Sequence, residues 1–193
     1  MERKQHITKE FDNKEEFELN WVEASAHPIG AVGLWNSMIK IIKMAKEKGD
    51  DIIVICEDDH YFTENYSPKL LFKVVTEAYI QGAEVLSGGI GGFGQAIPAG
   101  YHRYKVDWFW CTQFIVVYNR FFDKMLDYSF QNTDTADGVI SKLATNIMVI
   151  YPFISEQKDF GYSDVTQSNM EQQGKIREHF ARANKHMKSI SLK

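Results

Sequence analysis

The chain has 193 residues, 44% of them hydrophobic and 13% aromatic, which suits one sizeable domain, is short for two, and is far from the composition of a disordered chain. A formal charge of −4 argues against nucleic acid as the main partner, and the two cysteines, Cys56 and Cys111, stand in no metal-binding spacing and read as reduced, buried thiols. No apolar run reaches the length of a membrane span and no signal peptide is legible, so the expected location is the cytoplasm, with peripheral contact to the inner face of a membrane as a further expectation.

Residues 1–20 are dense in charge, with Phe11 and Phe17 as the apolar anchors of a helix and loop, and residues 21–24 read as a short strand. Residues 27–33 are turn-rich. Leu34, Met38, Ile41, Ile42 and Ala45 then recur at helical spacing up to a stop at Gly49. Ile52 to Ile55 form a β-branched run that enters Cys56-Glu57-Asp58-Asp59, the sharpest break in the chain. Such a run predicts a strand buried on both faces, and ligands of open α/β sheets sit beyond the carboxyl ends of such strands. Three adjacent acids there invite a divalent cation. Strand alternation predicts Glu57 and Asp59 on one side and Asp58 on the other, and oxygen ligands suit Mn²⁺ or Mg²⁺ better than zinc. Asp59 is the expected direct ligand, Glu57 a direct or water-mediated one, and Asp164 the expected third, with His102 and His179 as alternatives.

Pro68 opens a predicted helix through Leu71, Val74, Val75, Ala78 and Tyr79, and residues 83–87 read as the next strand. The glycine cluster at 88–94 lacks the Gly-Lys-Ser/Thr of a phosphate loop, and reads either as a flexible loop over a sugar or as a hairpin connection. Residues 106–118 predict one long strand on which Trp108 and Trp110 point the same way. Their flat indoles suit the apolar faces of sugar rings, and core packing is the competing explanation. A helix follows from Asn119. Asp134 and Asp137 precede a helix carrying Val139, Ile140 and Leu143, with Asp134 as the expected cap and Asp137 as a candidate base, Asp134 or Asp107 standing next in line. Residues 147–154 predict a further strand, and the basic segment 167–193 a solvated helical tail.

The Glu57-Asp58-Asp59 triplet after a buried strand resembles the DxD-type motif of GT-A glycosyltransferases, in the acidic form seen in glycosyltransferase family 25. Residues 33–37 resemble the element that opens the equivalent helix there, the 106–118 unit resembles the segment lining the acceptor side, and the run from Pro152 through Gln157 to Ser163-Asp164-Val165 resembles the closing segment. The resemblance covers about residues 1–166. It implies an α/β, GT-A-like (Rossmann-related) domain over 1–166, with a mostly parallel sheet flanked by helices, followed by the basic tail. The function it implies is metal-dependent, inverting transfer of a sugar from a nucleotide-sugar donor to a saccharide or lipid-linked saccharide acceptor, in surface polysaccharide or lipopolysaccharide biosynthesis. Gly33, Ser37, Glu57 and Asp58 would then face the donor, Asp137 would deprotonate the acceptor, and Trp108, Trp110 and Gln157 would line the acceptor side.

One departure stands out. Family members begin with a buried apolar strand, whereas this sequence opens at Met1-Glu2-Arg3-Lys4, so an N-terminally truncated sheet is expected, its edge covered by another element or by a second copy in a homo-oligomer. Two other functions fit the acids: a non-catalytic carbohydrate- or nucleotide-binding relative, and metal-dependent phosphoryl transfer, for which Glu84 would supply the second acidic strand end.

Overall fold

Alternation along the strands dictates the architecture. In the computed structural model, which describes residues 2–161 and 174–191, the elements follow as α1 (Glu2–Glu10), α2 (Gly30–Lys48), β1 (Ile52–Cys56), β2 (His60–Phe62), α3 (Pro68–Ile80), β3 (Val85–Ser87), β4 (Ala96–Gly100), β5 (Arg103–Val106), β6 (Phe114–Tyr118), α4 (Asn119–Leu126), α5 (Ala136–Leu143), β7 (Ile147–Ile150), β8 (Ser155–Gln157) and α6 (Lys175–Ser191). Ile55, Val85, Ile115, Val117, Ile147 and Val149 face one core with Trp35, Met38 and Ile42 of α2, Phe121 and Met125 of α4, Val139 and Ile140 of α5, and Phe180 and Met187 of α6. Their strand neighbours Leu86, Phe114, Val116, Tyr118, Met148 and Ile150 face a second core with Leu71, Val74 and Ala78 of α3. A sheet covered by helices on both faces requires apolar residues at every strand position, which is why these strands read as unbroken hydrophobic runs.

The six-stranded sheet has the order β1-β6-β3-β7-β5-β4, and β2 pairs with β8 in a separate two-stranded sheet. Strands β1, β3, β7 and β4 run one way and β6 and β5 the other, so the sheet is mixed and β3–β7 is its parallel neighbour pair. The molecule is therefore an α/β fold with a mixed central sheet flanked by helices. Strand β1 lies at one edge of that sheet. Beside it residues 18–27 run along α2, tied by Lys48 Nζ to Glu18 at 3.4 Å and by the Ser25 amide to Ser37 Oγ at 2.8 Å. Among the described residues no backbone hydrogen bond joins this segment to β1, so the strand expected at 21–24 does not form.

Local signals explain most boundaries. Gly49, at φ 77°, closes α2 with its amide on the carbonyls of Ala45 and Lys46, and Ser67 caps α3 in front of Pro68 at its first turn. Two expectations are corrected. Of the long strand expected at 106–118 only 114–118 forms, as β6, with Val106 ending β5; residues 107–113 leave the sheet and pass through a left-handed backbone at Cys111, φ 79°. The basic tail is not a solvated appendage: Phe180, Ala183 and Met187, at helical spacing, join the same core as α2 and α4. Among the described residues no helix is long and apolar enough to cross a membrane.

Candidate active site

Strand β1 carries the acids to its carboxyl end, but they do not continue its pleat. The His60 amide donates to the Glu57 carbonyl at 3.2 Å, closing a turn. Asp58 is the exposed acid, with its side chain 53% accessible, whereas Asp59 is buried. Glu57 accepts a hydrogen bond from Thr112 Oγ1 at 2.5 Å. Asp59 Oδ2 accepts from Gln157 Nε2 at 2.8 Å and from Arg3 Nη1 at 3.2 Å, and the same Arg3 nitrogen reaches Asp58 Oδ1 at 2.8 Å. Strand β2 makes the Gln157 contact possible, since its pairing with β8 sets His60 opposite Gln157. Gln157 thus holds an acid rather than lining the acceptor side.

Burial pushes the Glu57 carboxyl up to about 8, the negative charge of Asp59 adding to the effect and the Thr112 hydrogen bond opposing it. Burial also raises Asp59, while Gln157 and the Arg3 guanidinium pull it back. Among the described residues the second oxygen of Asp59, Oδ1, is buried without a partner.

Asp137 forms a wall beside the acids: Cys111, whose amide it binds, precedes Thr112, which binds Glu57. The cap of α5 is Thr135, whose hydroxyl accepts from the Gly138 amide at 3.3 Å, and Asp137 sits in the first turn. Its Oδ2 accepts from the Cys111 amide at 3.2 Å, and its charge raises both Glu57 and Cys111. Asp134, the expected cap, instead accepts from Tyr128 and from the Gln131 amide. Asp107 Oδ1 accepts from the amides of Gly94, Gln95 and Trp108.

Residues 107–113 bind this wall to an aromatic one. The rings of Trp108 and Trp110 lie 5.2 Å apart, and Trp110 is 43% exposed. Trp110 pairs with Gly92 through an isolated bridge, and a Cβ on Gly92 would come within 2.6 Å of the indole, so the ring lies flat on the glycine backbone. The glycine cluster is therefore not a flexible loop. Residues 88–91 are buried, and a Cβ on Gly91 would meet Cys111 Sγ at 2.8 Å.

Other expected site residues have different work. Ser37 Oγ donates to the Gly33 carbonyl and accepts from the Ser25 amide, and a Cβ on Gly33 would fall 2.7 Å from the Ser25 carbonyl oxygen. Both anchor residues 18–27 on α2 instead of facing a diphosphate. Glu84 precedes the amino end of β3 and is satisfied by Lys124 at 2.6 Å and the Thr145 amide at 2.6 Å, so it is a structural ion pair and not a second acidic strand end. His102 is held by the Tyr151 carbonyl at 2.9 Å and His179 rests against Trp110. Among the described residues no group of three His, Cys, Asp or Glu side chains is close enough to hold a metal, so neither histidine supplies the third ligand. Asp164 lies outside the described residues. Sequence reasoning missed Arg3 and Thr112, which are 55 positions from their acidic partners and carry no local signal.

No protein-family model and no curated protein matches this chain at a significant level. Among solved structures the chain is similar to UDP-glucose pyrophosphorylase in its apo form, at 10% identity and a TM-score of 0.45, covering 80% of this chain and 61% of that one. It is also similar to UDP-glucose pyrophosphorylase complexed with UDP-glucose, at 10% identity and a TM-score of 0.48, covering 96% of this chain and 74% of that one.

Proposed function

We propose that the protein transfers a sugar from a nucleotide-sugar donor to a saccharide acceptor, with the acid cluster on the donor side and the tryptophans on the acceptor side. The observation that carries this reading is convergence: Trp110, Cys111 and Thr112 are consecutive, the Cys111 amide binds Asp137 on α5, and the Thr112 hydroxyl binds Glu57 at the end of β1.

The chemistry divides among these groups. Glu57 and Asp59, with the unpartnered Oδ1, fit a hard divalent cation as a two-carboxylate site completed by phosphate oxygens and water. Bound there, Mn²⁺ or Mg²⁺ would supply charge stabilisation for a departing nucleotide diphosphate. Gln157 and Arg3 orient Asp59, and Thr112 orients Glu57. Asp137 accepts the proton of the acceptor hydroxyl as its oxygen attacks the anomeric carbon of the donor, and the sugar–phosphate bond breaks with its electron pair on the phosphate oxygen. The resemblance to family 25 supports inversion at that carbon and an acceptor from surface polysaccharide or lipopolysaccharide.

Calorimetric titration with a panel of nucleotide-sugars, with and without Mn²⁺, tests the reading. A Mn²⁺-dependent nucleotide signal that Asp59→Asn removes is expected. Asp137→Asn should keep that signal and lose transfer by about 10²–10⁴-fold. Absence of any nucleotide-sugar binding, or full turnover in Asp137→Asn, refutes it.

A further inference from the structure

Helix α6 presents more to the tryptophans than its packing requires. Phe180, Ala183 and Met187 fill the core face. On the flank beside them Lys175, His179, Arg182 and His186 follow at i, i+4, i+7 and i+11, the spacing that aligns side chains along one helical face. Lys185 and Lys188 fall on other faces of the helix. The stripe borders the aromatic wall: the His179 ring stands edge-on to Trp110 at 5.6 Å, and His186 stacks on Phe93 at 4.7 Å with 18° between planes. Arg182 Nη2 lies 3.2 Å from His179 Nδ1. A guanidinium can only donate, so Nδ1 accepts and His179 carries its proton on Nε2 as an N–H donor.

Trp110 therefore stands between two kinds of group: its chain neighbour Cys111 binds Asp137 through the backbone amide, and its ring meets His179 of a basic, donor-rich helix. A neutral sugar on the indoles would feel no preference for either direction. A sugar bearing an anion would be repelled by the acids and drawn to the helix, which turns its far hydroxyls toward Asp137. We infer that the acceptor is an anionic saccharide, its ring seated on Trp108 and Trp110 and its phosphate or carboxylate held by Arg182, His179 and Lys175. The inference rests on the reading of the tryptophans as the acceptor side. Arg182 is the main determinant, because its planar fork matches carboxylate and phosphate oxygens in pairs.

Tryptophan fluorescence titrations of the full chain provide the test, with methyl glucoside, glucose 6-phosphate, glucuronic acid and inorganic phosphate as probes. The two anionic sugars should bind about tenfold more tightly than methyl glucoside, the size of one charge-assisted contact. Arg182→Gln, an exposed position, should erase that preference and leave methyl glucoside affinity unchanged, and Trp110→Ala should weaken all three sugars. Equal affinity for neutral and anionic sugars, no response to any sugar, or a preference that survives Arg182→Gln overturns the inference. Inorganic phosphate binding as tightly as glucose 6-phosphate also overturns it, showing a bare anion patch, as does displacement of the sugars by anionic lipid vesicles, showing a membrane surface. Nucleotide-sugar titrations in the same series separate the two readings. A lost anionic preference with intact nucleotide-sugar binding removes only this inference, whereas a retained preference without nucleotide-sugar binding removes only the transfer reading.

Discussion

Glu57 shows how much of a residue's chemistry is set by its neighbours. Its carboxyl is raised from an ordinary 4.5 to about 8, so the folded chain keeps this proton over a range in which the unfolded chain has lost it. Stability from this group is then fully present below pH 4.5, declines as pH rises, and is gone once pH passes about 8. Glu57→Gln mimics the protonated form and keeps an oxygen for Thr112. In metal-free buffer its unfolding free energy should match wild type at pH 4.5 and below and exceed it in mild alkali, by a difference on the order of a few kcal/mol. Parallel melting curves for the two proteins across that range would refute the assignment. The triplet was legible as a site because three acids follow a buried strand. Which side of the strand end is buried was not legible, since alternation sets Glu57 and Asp59 apart from Asp58 without saying which side turns inward. Arg3 was invisible for a similar reason: its proximity to Asp58 and Asp59 is a product of α1 docking and of nothing in the local sequence.

At the scale of elements, strands and helices were read from periodicity, and the errors fall where backbone geometry overrides it. Residues 106–118 look continuous because aromatic and β-branched residues fill both halves, yet residues 107–113 leave the sheet and pass through the left-handed Cys111, whose amide binds Asp137. The glycine cluster looked mobile because glycine is permissive in isolation. Its role depends on space that only the folded chain defines. A Cβ on Gly89 would lie 1.9 Å from the Ser155 carbonyl oxygen, which sits at the start of β8 and whose own residue is buried with His60 and Gln113. Gly89→Ala should therefore destabilise by about 3 kcal/mol or more, at or beyond the upper end for overpacking, because a backbone carbonyl and not a side chain must yield. Denaturant unfolding reads this directly, and a variant as stable as wild type would show that the loop can move away. Through β8 the disturbance should also loosen Gln157 from Asp59.

At the scale of the whole molecule, the two-sided sheet ties the candidate site to elements far from it in sequence. The segment 167–193 was read as a basic helical tail, and a charge dominated by lysine and arginine hid the apolar stripe that docks α6. That stripe joins the core shared by α2, α4 and α5, and the adjacent flank of the same helix meets Trp110 and Phe93. The tryptophan wall and the global fold are consequently one cooperative unit. Phe180, 2% exposed and edge-on to Phe153 at 6.4 Å, is the anchor whose removal tests this. Phe180→Ala should cost about 3–5 kcal/mol, the usual loss for a fully buried phenylalanine. A single unfolding transition at lower denaturant with an unchanged slope is expected, because the helix and the sheet unfold together. If α6 were an independent tail, the main transition would stay where it is and only an early, shallow phase would change. In the docked case the same variant should also shift the Trp110 emission under native conditions, since losing Phe180 withdraws His179 from the indole.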